Sequence, residues 1–167
     1  SEDSKGRIWV CRGKDNLPLV AENSADDFKE LQVDFKDGLS WKEANLFHYL
    51  EYEPNLYLIG SGPGLFKGTL DASGRLTIER FRDETGDFTG TEFIYNTIID
   101  SERNIWTATY KHRFKKYRME DGVLIEQQVL SEFDFEEMAN HAISIFEDSQ
   151  KNIWIPNANG LYKLSRD

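Results

Sequence analysis

Asp148-Ser149-Gln150-Lys151-Asn152-Ile153-Trp154 decides the fold, because the phrase does not stand alone. Asp100-Ser101-Glu102-Arg103-Asn104-Ile105-Trp106 repeats it, and Asp3-Ser4-Lys5-Gly6-Arg7-Ile8-Trp9 opens the chain with it. Glu53-Pro54-Asn55-Leu56-Tyr57 is a fainter copy. With Trp9, Tyr57, Trp106 and Trp154 as anchors, the intervals are 48, 49 and 48 residues. A period of that size is the signature of a repeat architecture.

The unit around Trp154 shows what one repeat contains. Ala142–Phe146 is apolar and strand-like, and Asp148–Asn152 is a polar turn. Asp and Asn favour turns because their side chains bond nearby backbone groups and tolerate left-handed geometry. Ile153-Trp154-Ile155 is a second strand, residues 157–160 turn again at Gly160, and Leu161–Leu164 alternates as a third strand. The unit before it runs through Phe93–Ile99, Ile105–Thr109, a strand at Phe114 and an outer strand at Val123-Leu124-Ile125. Phe114 and Tyr162 each lie eight residues past their Trp, which predicts equivalent positions. The second unit gives Leu46–Tyr52, Leu56–Ile59, Leu65–Thr69 and Leu76–Phe81, with Gly64 matching Gly160. The first unit lacks its first strand and the fourth lacks its last.

Four antiparallel strands per unit of about 48 residues match a propeller blade. The predicted fold is all-β: a β-propeller segment of about four blades, each of up to four antiparallel strands. The chain 1–167 reads as one incomplete propeller region, with repeats at about 1–40, 41–90, 91–138 and 139–167. Ser24–Leu31, Ser40–Glu43 and Ser131–Asn140 carry capping signals for one or two helical turns within the connections.

Composition narrows the function. A net charge of −10 and a pI near 4.8 disfavour nucleic acid as a partner. The one basic cluster, Lys111–Arg118, reads as a solvated strand face. Cys11 is the sole cysteine, so no intrachain disulfide forms, and it reads as a small buried hydrophobe. No run of about 18 apolar residues is present to span a membrane.

Chemistry-bearing motifs are sparse. His48, His112 and His141 are isolated, so no metal site and no cofactor is predicted. Gly60-Ser61-Gly62-Pro63-Gly64 resembles a phosphate loop but leads into a strand instead of a helix, so it reads as a hairpin turn. The Asp-Ser-x-x-Asn turns are too short for a calcium hand loop and read as turn stabilisers. Asp100, Asn104, Asp148, Asn152, Gly64 and Gly160 are therefore structural positions, as are the four aromatic anchors. No catalytic residue is predicted. The candidate ligand-binding residues are Tyr110, Lys111, His112 and Arg113, which break the repeat consensus in a turn between two strands.

Asp-Ser-x-x-Asn-Ile-Trp followed by Gly160-Leu161-Tyr162, with Asp37-Gly38-Leu39-Ser40 as a lead-in, resembles the two-component regulator propeller repeat. The resemblance is strongest in the fourth unit and weakest after Trp9. It implies a non-enzymatic, periplasmic sensor region of a hybrid histidine kinase of the Bacteroides type. It also implies an oligosaccharide ligand and signalling to a kinase elsewhere in the protein. Streptogramin-lyase-like propellers share Gly-x-Ile-Trp strands, so a propeller-fold lyase or hydrolase is the rival reading. A protein interaction platform is a third. Exposed sheet edges and faces predict association with further repeats or with a second copy of the chain as a homodimer.

Overall fold

In the computed structural model the described residues are 1–12, 17–22, 27–40, 46–109, 114–127, 144–157 and 160–165. Every regular element among them is a strand. No helix is long and apolar enough to cross a membrane. The chain divides into two compact units: Ser1–Phe81 with Phe88–Thr91, and Arg82–Asp87 with Glu92–Asp167.

The first unit holds two sheets. The first sheet is β1 (Arg7–Arg12), β2 (Leu17–Glu22) and β3 (Lys29–Glu30), in that order. The second sheet contains β4 (Gln32–Phe35), β5 (Leu46–Glu53), β6 (Leu56–Ser61), β7 (Gly64–Leu70) and β8 (Arg75–Arg80), in the order β4-β8-β7-β6-β5. Alternation decides which side chains meet, because successive residues point to opposite faces. Trp9, Val20 and Cys11 of the first sheet pack against Tyr49, Tyr57, Ile59, Phe66 and Ile78 of the second. The Trp9 ring centroid lies 4.3 Å from that of Tyr57 and 5.3 Å from that of Tyr49.

The second unit follows the same plan. The third sheet is β9 (Ile94–Ile99), β10 (Ile105–Thr109), β11 (Phe114–Glu120) and β12 (Val123–Gln127), paired in chain order. The fourth is β13 (Phe146–Glu147), β14 (Ile153–Asn157) and β15 (Gly160–Leu164). Trp106, Ala108 and Phe114 of the third sheet pack on Ile145, Ile153 and Ile155 of the fourth. In both units the tryptophan face of one sheet meets the aliphatic or aromatic face of the next.

Four details depart from the sequence expectations. The second sheet has a fifth strand: β4 runs parallel to β8, its Val33 and Phe35 joining the core. Arg75 holds this edge by donating to Asp34 at 2.8 Å and to Gln32 at 3.2 Å. Within the stretch 24–31, Lys29–Glu30 form a strand and not a helical turn, because they pair with Leu19 and Val20. The first unit keeps a remnant of its missing strand, an antiparallel bridge between Glu2 and Ile8.

The fourth detail is register. Glu2↔Ile8, Glu51↔Tyr57, Ile99↔Ile105 and Glu147↔Ile153 are the equivalent pairs. Tyr57 therefore stands in the isoleucine position, and Leu58 stands where the tryptophans stand. The residue with positive φ in each turn confirms it: Gly6, Asn55, Arg103 and Lys151 each precede the isoleucine position by two. Phe114 and Tyr162 are likewise not equivalent. Phe114 pairs with Ala108, two past Trp106, whereas Tyr162 pairs with Ile155, one past Trp154. An odd offset sends a side chain to the other face. The helix signals at Ser131–Asn140 lie outside the described residues, and so do Trp41, Lys42 and Glu43 of the Ser40–Glu43 signal.

Candidate functional site

The repeated turn is the best-defined local structure in the molecule. In the turn at Asp100, the carboxylate Oδ1 accepts from the backbone N–H groups of Glu102 and Asn104, both at 2.9 Å. Asn104 Nδ2 donates back to the same carboxylate at 2.9 and 3.1 Å. The Trp106 indole N–H donates to Oδ2 at 2.7 Å. Asp148 repeats this with Gln150, Asn152 and the Trp154 indole at 2.7 Å. Asp3 repeats it with Lys5, Arg7 and the Trp9 indole at 2.8 Å, with the Arg7 guanidinium at 2.7 Å in the asparagine's role. Asp71 and Asp83 build the same backbone turn around Gly74 and Gly86. The Asp-to-Trp spacing of six is thus a hydrogen bond that ties the turn to the strand after it.

These bonds fix the electrostatics. Burial pushes the Asp3 carboxyl up, but donation from Trp9, Arg7 and Tyr57 outweighs it and brings the pKa down to about 2. Asp148 is held at about 2, chiefly by the Trp154 indole. Burial opposes and the Trp106 and Asn104 donors lower the Asp100 carboxyl. Carboxylates that accept several donors stay ionised and are poor general acids.

The second repeat has no aspartate at its turn: Tyr52 occupies that position. Its Tyr57 instead reaches the turn of the first sheet. The Tyr57 hydroxyl donates to Asp3 Oδ2 at 3.0 Å and accepts from Arg7 at 2.8 Å. Two glutamates make a related link. Glu51 accepts from the Ser4 backbone N–H at 2.5 Å, and Glu147 accepts from the Ser101 N–H and hydroxyl, both at 2.8 Å. In each case a glutamate directly before one turn grips the serine of the preceding turn, a period of 46 or 47 residues away. The sequence reading missed Glu51 and Glu147, although their near-repeat spacing was the available signal.

Tyr110, Lys111, His112 and Arg113 lie outside the described residues, as do His141 and Ala158-Asn159. Of the other singled-out positions, Trp9, Tyr57 and Trp106 are buried, while Trp154 is half-buried. Gly64 has φ +134° at the β6–β7 hairpin, where a Cβ would stand 2.1 Å from the Gly90 carbonyl oxygen. Gly160 has φ +148° with open space around it. The basic cluster is less solvated than expected: Lys115 pairs with Glu126 at 3.1 Å, and Lys116 lies over the Trp106 ring.

His48 lies flat against Gly60, and burial, with a smaller contribution from the amino terminus, lowers its pKa. Cys11 is half-buried; its thiol donates to the Leu46 carbonyl, and burial pushes its pKa up, which favours the thiol over the thiolate. Among the described residues no three His, Cys, Asp or Glu side chains converge to hold a metal ion. A concavity of about 280 Å³ opens in the first unit, lined among others by Arg7, Glu22, Asp27, Lys29, Leu31 and Leu70. It is just below the usual volume of a small-molecule site.

No family model matches the sequence, and no curated protein matches it. Solved structures do match the fold. Two are of the extracellular domain of BT4673 from B. thetaiotaomicron, described once as a one component and once as a hybrid two component system. The first superposes with a TM-score of 0.71 at 16% identity, covering 99% of this chain and 22% of that one. The second gives 0.67 at 15% identity, covering 100% and 24%. Virginiamycin B lyase from Staphylococcus aureus gives 0.61 at 12% identity, covering 98% and 53%. The chain thus spans about a quarter of the BT4673 domain. The fold is that of a propeller segment, as the two-component regulator propeller resemblance implies.

Proposed function

We propose that the chain is a non-enzymatic sensor segment that works outside the cytoplasm, recognises a small ligand and relays its binding to a kinase. The observation that supports this reading is the fold match to an extracellular domain of a signalling system over nearly the whole chain. The repeated carboxylates fit it too. Asp3, Asp100 and Asp148 are committed to their own turns and indoles, so they build the scaffold and leave recognition to loops.

An oligosaccharide is the ligand class we put forward, on the resemblance of the repeat phrase. Glu22, Asp27 and Lys29 around the first-unit concavity offer acceptors and a donor suited to hydroxyl groups. To signal, the ligand must bind two states of the protein unequally. The lyase match favours a second reading, an enzyme on the same scaffold.

Calorimetric titration with defined oligosaccharides, followed by mass spectrometry of the recovered ligand, tests both. Saturable binding with unchanged ligand supports the sensor. Turnover would establish the enzyme. Replacing Tyr110–Arg113 by Gly and Ser, and separately Lys29→Ala, then asks which region makes the contact. A variant that leaves affinity unaltered excludes its region.

A further inference from the structure

We propose that the Arg80 guanidinium, held over the rings of Phe66 and Phe88, anchors a binding site for a small ligand that carries a carboxylate on a flat ring. The guanidinium carbon lies 5.7 Å from the Phe66 ring centroid and 5.4 Å from that of Phe88. All three residues belong to the first unit.

Strand pairing brings them together. Arg80 ends β8 and stands directly opposite Phe66 of β7, so the two side chains share a face. Phe66 is buried in the core of the first unit. Phe88 comes from the segment after β8, which two backbone bonds pin in place. The Thr89 N–H donates to the Phe81 carbonyl at 3.0 Å, and the Gly90 carbonyl accepts from Leu65 at 2.7 Å. Phe88 itself is 44% exposed, so one ring belongs to the core and the other is offered to solvent.

Other arginines spend their guanidinium groups on oxygen atoms. Arg7 donates to Asp3, Arg75 to Asp34 and Arg82 to the Gly86 carbonyl, and Arg118 pairs with Glu120. The Arg80 guanidinium has no such oxygen partner among the described residues. Asp37 accepts the Arg80 backbone N–H at 3.0 Å, and Glu79, next in sequence, takes Lys67 at 2.6 Å. Aromatic faces attract the cation but accept no conventional hydrogen bond, so the N–H fork stays unused. A half-buried guanidinium already held in place loses little freedom on binding, and its fork matches a planar carboxylate.

The surroundings define the rest of the ligand. The exposed Phe88 ring beside the fork gives a face on which a second ring can stack. The net charge of −10 opposes multiply charged anions such as phosphate and leaves a single carboxylate as the favoured partner. A uronic acid sugar and an aromatic acid both meet this description. The sugar case rests on the sensor reading proposed above; the aromatic case does not.

Titration of the full chain, read by NMR at the Arg80 side-chain N–H groups, separates the two sources. One arm sets digalacturonate against its methyl ester, the other benzoate against benzamide; in each pair the neutral member keeps the ring and loses the charge. At least one acid is expected to shift the Arg80 signals and to bind about tenfold or more tightly than its neutral counterpart. Arg80→Gln, which keeps the backbone N–H that Asp37 accepts, is expected to erase that preference. Arg80→Lys should restore it only in part, and Phe88→Ala should weaken the acid about two- to tenfold. Circular dichroism checks that each variant keeps its fold, and the comparison of acid with neutral form needs no variant. The site is overturned if neither acid binds, if acid and neutral form bind alike, if folded Arg80→Gln keeps the preference, or if inorganic phosphate displaces the acid at a lower concentration. Digalactose binding with neither acid bound would strike the site and leave the sensor reading standing. Benzoate binding with no sugar bound would keep the site and count against the oligosaccharide.

Discussion

The Tyr57 hydroxyl donates a hydrogen bond to Asp3 Oδ2 at 3.0 Å, joining residues 54 apart. Asp3 already holds its own Trp9 indole and the Arg7 guanidinium, and Arg7 in turn donates to the Tyr57 oxygen. The result is a closed, largely buried network between the turn of the first sheet and β6 of the second sheet. Removing the hydroxyl leaves Asp3 short of one donor and Arg7 short of one acceptor. Tyr57→Phe is expected to destabilise the chain by about 1–2 kcal/mol. Chemical denaturation measures it; an unchanged midpoint would mean that the network adds nothing to stability.

The same network sets the acid limit. Asp3 has a folded pKa of about 2 against an ordinary 3.8, so its stabilisation is fully present above the ordinary value and is lost as pH falls toward 2. The shift corresponds to about 2 kcal/mol. Asp148 and Asp100 are depressed as well and lose their contribution over the same acid range. Thermal melts should show little pH dependence from these groups near neutrality and a steep fall below about pH 4. Asp3→Asn should begin less stable and show a shallower fall. An acid limb as steep as that of the wild type would remove Asp3 from the cause.

The strands and their order were legible because alternating apolar residues between Asp, Asn and Gly turns leave few alternatives. The register was less so. Matching Tyr57 to the tryptophans pairs aromatic with aromatic, but Asn55, not the aromatic, marks the position that must adopt positive φ. Counting eight residues from each Trp matches Phe114 with Tyr162, whereas pairing sets Phe114 opposite Ala108, two past Trp106, and Tyr162 opposite Ile155, one past Trp154. The parallel edge strand β4 pairs with β8 across some 43 residues, a contact that no local pattern announces. The Asp-to-Trp bonds needed side-chain geometry, although their constant spacing was in view throughout.

Trp106 and Trp154 make the same bond to their aspartates but differ in cover. Trp106 lies beneath the fourth sheet, while Trp154 is half-buried. Trp106→Ala is expected to cost about 3–5 kcal/mol, in the range of a buried aromatic truncation. Trp154→Ala should cost clearly less, because its ring is only half-buried. Paired denaturation curves decide it. Equal losses would mean that the difference in burial between the two rings does not set their contribution.

Gly64 and Gly160 open equivalent hairpins with φ of +134° and +148°, a region that side chains rarely enter. Strain of this kind costs roughly 1–3 kcal/mol for a non-glycine residue. They differ in surroundings: a Cβ at Gly64 meets the Gly90 carbonyl at 2.1 Å, and one at Gly160 meets nothing within 4 Å. That carbonyl also accepts the Leu65 N–H at 2.7 Å, so it cannot retreat without breaking a backbone bond. Gly160→Ala should therefore show the strain alone, and Gly64→Ala the strain plus a steric displacement of the Gly90 segment. Melting midpoints order the two variants, and amide exchange at Leu65 reports the displaced bond. If Gly64→Ala were as stable as Gly160→Ala, with Leu65 still protected, the close approach to Gly90 would not constrain that hairpin.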